Sequence, residues 1–479
     1  MITYPCGADH ISPRVTIEAL PDNVLIDIFD FYNRKAFYLF SYRPTLWRWH
    51  RLVHVCQRWR SLVFGSPLRL DLCLRCTWET PVREMLDVWP PLPIEIYLDD
   101  SHDADNIIAT LKHRDRVREI SILNPTSPQL EGLASILQEP FPALTSLRLN
   151  ADENAPALPD TFLGGSAPRL QTLVLLDIPF PGLPKLLLSA TDISYLFLGE
   201  IPRTGYISPE AMVTGLSALT SLTHLTIHFK SPAPRPDRRG PPPPTLARVI
   251  LPALEVLGFR GVSEYLEYLV ARIDAPRLLT LCIIFFNQVI FNIQQLPYFI
   301  GHTRILRSSS HAAVYFSNDR VSISLYPTDP LGTRLWLIIC CKAVDWQVRS
   351  MGQICDQLSF LSSTAEQLEV SCRFLDSNWQ VDMEDTEWLK LFRPFTAVRT
   401  LRIRRQLQPL IVPALQELTG EWATEVLPAL DSVYLEEYQP SGSEHQAIKP
   451  FIAARQYSDH PVAVHLWDRS DAIDYPSPF

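Results

Sequence analysis

The chain has 479 residues, 47% of them hydrophobic and 20% charged, and a formal net charge of -9. That much apolar material excludes an intrinsically disordered chain, and the length calls for several domains or one elongated repeat array. The acidic balance excludes the strong basic field that would make nucleic acid the expected partner.

The first predicted element is a helix opening at Leu20-Pro21-Asp22. Proline suits the first helical position because its missing N–H would be unpaired there. Val24, Leu25, Ile28, Phe29 and Tyr32 follow at helical spacing. Trp49, Leu52, Val53, Cys56, Trp59 and Val63 predict a second amphipathic helix over 49–63, after an aromatic and basic stretch. Beyond Pro67, Leu70, Leu72 and Leu74 alternate as a strand over 69–74, and Ile94, Ile96 and Leu98 repeat the alternation.

A pattern Pro-x-Leu-x-x-Leu-x-Leu then keeps returning, clearest at Pro142, Pro168, Pro252 and Pro276. Its first apolar positions, 144, 170, 193, 222, 254 and 278, are separated by steps of 26, 23, 29, 32 and 24. A leucine-rich repeat runs roughly 20–29 residues, and the longest step holds a Pro-rich insertion, 231–244. In such a repeat each strand points its Leu side chains inward, and only stacked neighbours bury them. Segments 208–219 and 263–273 read as return helices, and late copies recur at Leu401 and Val433. An ordinary α/β domain also carries Leu-rich parallel strands, but the recurring Pro and the repeat length favour the repeat array. The Pro-rich insertion reads as a solvated surface loop or, alternatively, as a ligand for a proline-recognising domain. Residues 302–386 break the repeat, with Val321, Ile323 and Leu325 alternating, an apolar run at 335–341 and an acidic stretch at 382–387.

The expected class is therefore α/β: a helical N-terminal module followed by an irregular leucine-rich-repeat-like solenoid, a curved and mostly parallel sheet with return helices. The expected organisation is a tail over 1–14, the helical module over 15–68, the solenoid over 69–301, an irregular insertion over 302–386, and C-terminal repeats and tail over 387–479.

In the pattern Leu-x-Leu the intervening residues face away from the core. These positions predict a concave binding face carrying Arg148, Leu176, Tyr195, Phe197, His224, His228, Arg260, Arg402 and Arg404. Aromatic anchors with arginines suit a protein partner, with acidic or phosphorylated segments favoured. The alternative is that the 302–386 region folds over this face and buries it.

Enzyme signatures are missing. The sequence has no phosphate-binding Gly-rich loop, no Gly-x-Ser-x-Gly elbow and no His-Glu-x-x-His pair. Cys73-x-x-Cys76 has metal-ligand spacing but no second pair nearby, so neither metal nor cofactor is implied. The nine cysteines are too sparse for a disulfide scaffold. Met1 to Ser12 has no apolar signal region, and Leu278 to Ile293 is too interrupted to span a membrane. A cytoplasmic or nuclear, membrane-free location is expected.

Leu20-Pro21-Asp22-Asn23-Val24-Leu25-Ile26-Asp27-Ile28-Phe29 resembles the opening helix of an F-box, and the Val55-Cys56-x-x-Trp59 core and Ser66-Pro67-Leu68 exit resemble its later part. The insert from Tyr32 to Trp47 departs from that motif. Beyond it, the stretches 141–147, 162–170 and 426–430 are similar to the F-box proteins with leucine-rich-repeat-like bodies that are numerous in mushroom-forming fungi. The resemblance implies a non-enzymatic substrate adaptor of a ubiquitin ligase, bound to the Skp1 subunit and through it to a cullin. It implies that Leu20, Pro21, Val24, Leu25, Ile28, Phe29, Val55, Cys56 and Trp59 form or support the Skp1 contact. A repeat scaffold for protein–protein interaction without a ligase role is the alternative.

Overall fold

The computed structural model describes residues 17–33, 48–77, 86, 88, 90–98, 105–152, 155–232, 248–303, 310–327, 334–372, 384–418, 425–437, 443–457 and 460–467. The expected tail over 1–14, most of the Tyr32–Trp47 insert, nearly all of the Pro-rich insertion and residues 382–383 lie outside them. By internal packing the chain divides into two units, Met1–Ile120 and Ser121–Phe479.

In the first unit, α1 (Asp22–Asn33), α2 (Arg48–Val53) and α3 (Gln57–Gly65) pack together. The single helix expected over 49–63 is thus two. Cys56 breaks it: its backbone is extended (φ -157°, ψ 170°), and its Sγ accepts the Trp59 N–H at 3.5 Å, capping α3. Leu25 and Phe29 close the interior of this bundle, with the Phe29 and Trp59 rings 4.7 Å apart. Arg58 reaches back to the start of α1, bonding Asp22 Oδ1 and the Leu20 carbonyl, each at 2.6 Å. Two short strands follow in parallel, β1 (Leu74–Cys76) and β2 (Ile94–Leu98), and then α4 (Asp105–Leu111). The strand expected over 69–74 is instead mostly a turn. Asp71 has a left-handed backbone (φ 45°), and the Leu72 N–H bonds back to the Pro67 carbonyl. Leu70, Leu72 and Leu74 are nonetheless all buried, so the alternation marked core positions without extended chain. β3 (Val117–Leu123) carries the chain across the boundary between the units.

The second unit repeats one device. A strand delivers two inward apolar side chains, and the chain then returns to start the next strand in register. The strands are β4 (Ser146–Asn150), β5 (Thr172–Leu176), β6 (Tyr195–Ile201), β7 (His224–Phe229), β9 (Val256–Gly261) and β11 (Thr280–Phe285). β8 (Val249–Ile250) and β10 (Ile273–Asp274) form a separate parallel pair. All adjacent pairs from β4 to β11 are parallel, aligning Leu147, Leu173, Leu196, Leu225, Leu257 and Leu281 in one buried row. The repeat geometry is leucine-rich-repeat-like: one strand per 23–32 residues, with packed return helices α5 (Ser127–Ile136), α6 (Leu183–Leu187), α7 (Pro209–Leu216), α8 (Ser263–Val270) and α9 (Gln295–Gly301). α7 begins where the sequence placed it: Pro209 takes the first position, and Ser208 Oγ caps it by accepting the Ala211 N–H at 3.2 Å.

The described part of 302–386 also belongs to this sheet. β12 (His311–Phe316), β13 (Arg320–Tyr326) and β14 (Arg334–Cys340) form an antiparallel meander. Its two outer strands pair in parallel with their other neighbours, so the order runs β11-β14-β13-β12-β15. These strands take places in the sheet; they do not lie across its open face. β15 (Gln367–Cys372), β16 (Thr400–Ile403), β17 (Ser432–Glu436) and β18 (Ala463–Trp467) resume the parallel stack. Helices α10 (Val344–Gln357), α11 (Ser359–Ser362), α12 (Asp385–Phe392), α13 (Gln408–Gln416) and α14 (Ser443–Tyr457) accompany them.

The inward row carries the fold, which gives a direct expectation. Leu225→Ala removes a fully buried side chain from the middle of the row and should destabilise the unit by about 2–5 kcal/mol. Tyr195→Ala, on the opposite face, should cost about 1 kcal/mol or less. Urea denaturation followed by far-UV circular dichroism compares them. Equal losses would mean that the two faces are not distinct.

Candidate functional site: an apolar helix stripe and an open sheet face

The residues singled out in the first unit separate onto two sides of α1. Leu25 and Phe29 are fully buried, so they support the bundle and present nothing to a partner. Val24, Ile28 and Phe31, at helical spacing of four and three, are 36%, 42% and 80% exposed. Leu20 and Trp59 are half-buried, and Pro21, Val55 and Cys56 are exposed. α1 is therefore apolar on both sides, and its outer stripe is open among the described residues. Phe31 was not among the residues singled out from the sequence; continuing the 24–28 step to 31 is the signal that finds it.

In the second unit, every candidate face residue lies on the sheet side opposite the Leu row. The strand register makes this explicit. Arg148, Val174, Phe197 and Thr226 align on neighbouring strands, as do Ser146, Thr172, Tyr195 and His224. Leu176 and Phe197 meet above Gly199, where a Cβ would overlap both side chains. The absent side chain is thus what lets the aliphatic and aromatic groups converge. Tyr195 stacks obliquely on His224, with centroids 5.5 Å apart. The His224 Nδ1 lies 2.9 Å from Thr223 Oγ1, and that hydroxyl donates its proton to the Ser194 carbonyl at 2.8 Å.

Three placements differ from a simple exposed cluster. His228 is only 7% exposed, walled by the Phe197 ring at 5.9 Å and by Arg260 on the next strand. Large side chains one strand apart cover what alternation alone would leave open. Burial first, and the Arg260 cation second, push its pKa down to about 4. Arg260 itself is engaged, ion-paired with Glu200 at 2.6 Å. Third, Arg402 and Arg404 do not flank the aromatics. Eight strand steps separate β6 from β16, or about 38 Å along the sheet at ~4.8 Å per step. The meander contributes three of the eight steps, and the intervening parallel repeats contribute the rest.

The arginines form their own patch. Their guanidinium carbons lie 5.8 Å from the Tyr434 ring and 5.7 Å from the Trp467 ring, respectively. Glu369 lies beneath, with Arg404 at 4.0 Å. Burial raises the Glu369 carboxyl pKa, while Arg404 and Arg402 pull it down.

Two features were not read from the sequence. One recurs at or near strand ends: Asn124, Asp177 and Glu437 directly follow a strand and Glu200 sits at the irregularity before the last residue of β6, all with left-handed backbone conformations. The acidic ones pair with cations of other repeats: Asp177 with Lys230 and Glu200 with Arg260, both later in the chain, at 2.6 Å each, and Glu437 with the earlier Arg405. The other is the loop after β11. Val289 and Ile290 are 68% and 73% exposed, yet their loop is pinned from both sides. Buried Gln288 accepts the Ser263 N–H and donates to Glu264, while Gln357 both accepts the Ile293 N–H and donates to the Phe291 carbonyl. A held loop that displays two aliphatic side chains is preorganised for contact. Among the described residues no group of three metal-ligating side chains gathers, and no helix is long and apolar enough to cross a membrane.

No family model matches the chain, and no curated protein matches it. Among solved structures it is similar to the leucine-rich repeat-containing protein LegL7 from Legionella pneumophila at 12% identity, covering 79% of this chain and 97% of that one, with a TM-score of 0.27. It is also similar to TLR13 in a complex with ssRNA13, at 13% identity, covering 73% of this chain and 45% of that one, again with a TM-score of 0.27. Likeness at that score is too remote to bear on fold or function; the repeat assignment above rests on the strand register.

The buried His228 makes stability depend on pH in a definite direction. The unfolded chain takes a proton on this ring below about 6.5, whereas the folded chain refuses it until about 4. The stability from the neutral ring is therefore complete above pH 6.5 and lost as pH falls toward 4. His228→Gln should flatten that part of the profile. Urea midpoints of both proteins at pH 7 and pH 4.5 check it; parallel profiles would place the titration elsewhere.

Proposed function

We propose that the chain is a non-enzymatic substrate adaptor of an Skp1-cullin-F-box type ubiquitin ligase, working inside the cell. Its helical first unit binds Skp1, and the open sheet face of its second unit binds a protein substrate. The observation that carries this reading is the outer stripe of α1. Val24, Ile28 and Phe31 are exposed on a helix whose inner side is already closed by Leu25 and Phe29, and the stripe sits within the Leu-Pro and Val-Cys-x-x-Trp signature. Exposed aliphatic and aromatic groups at helical spacing suit a helix-in-groove contact. Trp59 supports the stripe from below through its ring contact with Phe29.

The substrate side follows from chemistry. Leu176, Tyr195 and Phe197 offer an apolar anchor patch, and the pinned Val289-Ile290 pair offers a second apolar contact. Arg402 and Arg404, backed by Tyr434 and Trp467, offer planar cations for acidic or phosphorylated side chains. The distance between the anchor and cationic patches favours an extended or folded protein partner over a small molecule.

Two measurements test the two halves. Val24→Asp with Ile28→Asp changes only exposed positions, so the thermal midpoint should hold while binding of purified Skp1 to the full chain is lost by calorimetry. A wild-type chain that fails to bind Skp1 leaves the scaffold reading without a ligase role. For the substrate side, Tyr195→Ser with Phe197→Ser, and separately Arg402→Ser with Arg404→Ser, should keep Skp1 and lose partners in a quantitative interaction screen under proteasome inhibition. Unchanged partner sets in both variants would remove the open face from the mechanism.

A further inference from the structure

We infer that β18 is a homodimerisation edge, pairing antiparallel with β18 of a second copy of the chain about a two-fold axis at His465. On one side β18 makes five register pairs with β17, from Ser432–Ala463 to Glu436–Trp467. It is the last strand in the sheet order, so among the described residues its other edge has no strand partner. Such an edge leaves a row of backbone N–H and C=O groups that template a further strand.

Soluble proteins blunt exposed edges with lysine, proline, bulges or inward-pointing charges. The β18 sequence, Ala463-Val464-His465-Leu466-Trp467, has none of them: no lysine, no carboxylate and no proline, and its pairing with β17 is regular. Its core-side residues are less covered than those of β17: Val464 is half-buried and Leu466 is exposed. Val464 and Leu466 continue the rows of Val433 and Leu435, but Leu466 is 59% exposed where Leu435 is fully buried. Among the described residues the strand thus presents both unpaired backbone and the exposed Leu466 along one edge.

The side-chain order selects the occupant. With the two-fold at His465, Val464 stands opposite Leu466 of the second copy, and Ala463 opposite Trp467 of the second copy. Aliphatic meets aliphatic on the core side, while on the open side Trp467 is already buried in its own chain under Arg404. Each contact is made twice by symmetry, as an isologous interface requires. No charged side chain opposes its own kind within the strand, a favourable condition for cross-strand pairing. A peptide from another protein would also satisfy the backbone, but nothing in the strand selects its side chains. The inference does not depend on the adaptor reading, since it rests on the free backbone edge of β18 and on Leu466, although Trp467 of the same strand also backs Arg404 on the proposed substrate face.

The full-length chain provides the test. Sedimentation equilibrium should give twice the 54.6 kDa chain mass. Leu466→Lys, at an exposed position, should give the monomer mass with an unchanged circular dichroism spectrum. A register-specific arm uses His465→Cys. On the axis the two introduced thiols face each other within disulfide reach, so mild oxidation should yield a 465–465 cross-link identified by mass spectrometry of the linked peptide. Ala463→Cys should not cross-link to itself, because the four-residue offset separates the two thiols by roughly 13 Å. A wild-type chain that stays monomeric, as it would if its own C-terminal residues or a foreign peptide filled the edge, overturns the inference. So does a dimer that survives Leu466→Lys and forms no cross-link at 465.

Discussion

The second unit depends on strands held in register, parallel except at the β12–β14 meander, so that one inward apolar row is continuous. A strand with two buried leucines cannot hide them by itself. It becomes stable only when the next repeat lays its own pair alongside, as Leu173 and Leu175 are flanked by Leu147 and Leu149 on one side and by Leu196 and Leu198 on the other. The same constraint creates the open face, because fixing alternate side chains inward fixes the others outward. The buried row and the open face are therefore set by the same backbone register, and one-residue slips are forbidden by the cost of exposing the row.

The turns at strand exits serve this constraint. A left-handed residue redirects the chain after the strand has delivered its side chains, and asparagine and aspartate adopt that conformation at modest cost. Glu200 and Glu437 are less suited to it. Their ion pairs tie Glu200 to the later Arg260 and Glu437 to the earlier Arg405, so the conformations are held by other repeats as well as by local preference. One consequence is that part of the positive charge on the sheet face is already committed. Arg402 and Arg404 lie against the Tyr434 and Trp467 rings, and Arg404 also pairs with Glu369.

The first unit obeys a different logic. Three short helices cannot enclose all the apolar residues they carry. Leu25, Phe29, Trp49, Leu52 and Val53 fill the interior, while Val24, Ile28 and Phe31 remain outside. The Arg58 contacts to Asp22 and Leu20 fix the start of α1 against α3, so the outer stripe is presented on a held helix.

Much of this was determined by the sequence alone. The Leu-x-Leu alternation, its spacing and the recurring proline specify parallel repeats and identify which side chains are core, because burial of period-two positions is a local property of the strand. The N-terminal helix and the capped start of α7 are local for the same reason. What only the tertiary structure decided are the quantities set between strands. The meander at β12–β14 enters the sheet order and moves the arginine patch away from the aromatic one. The flanking side chains bury His228, the missing side chain at Gly199 lets Leu176 and Phe197 converge, and Cys56 divides one expected helix into two. Alternation states which way a residue points, but whether it meets water depends on the size of its neighbour one strand over, and that neighbour is 20 or more residues away in the chain.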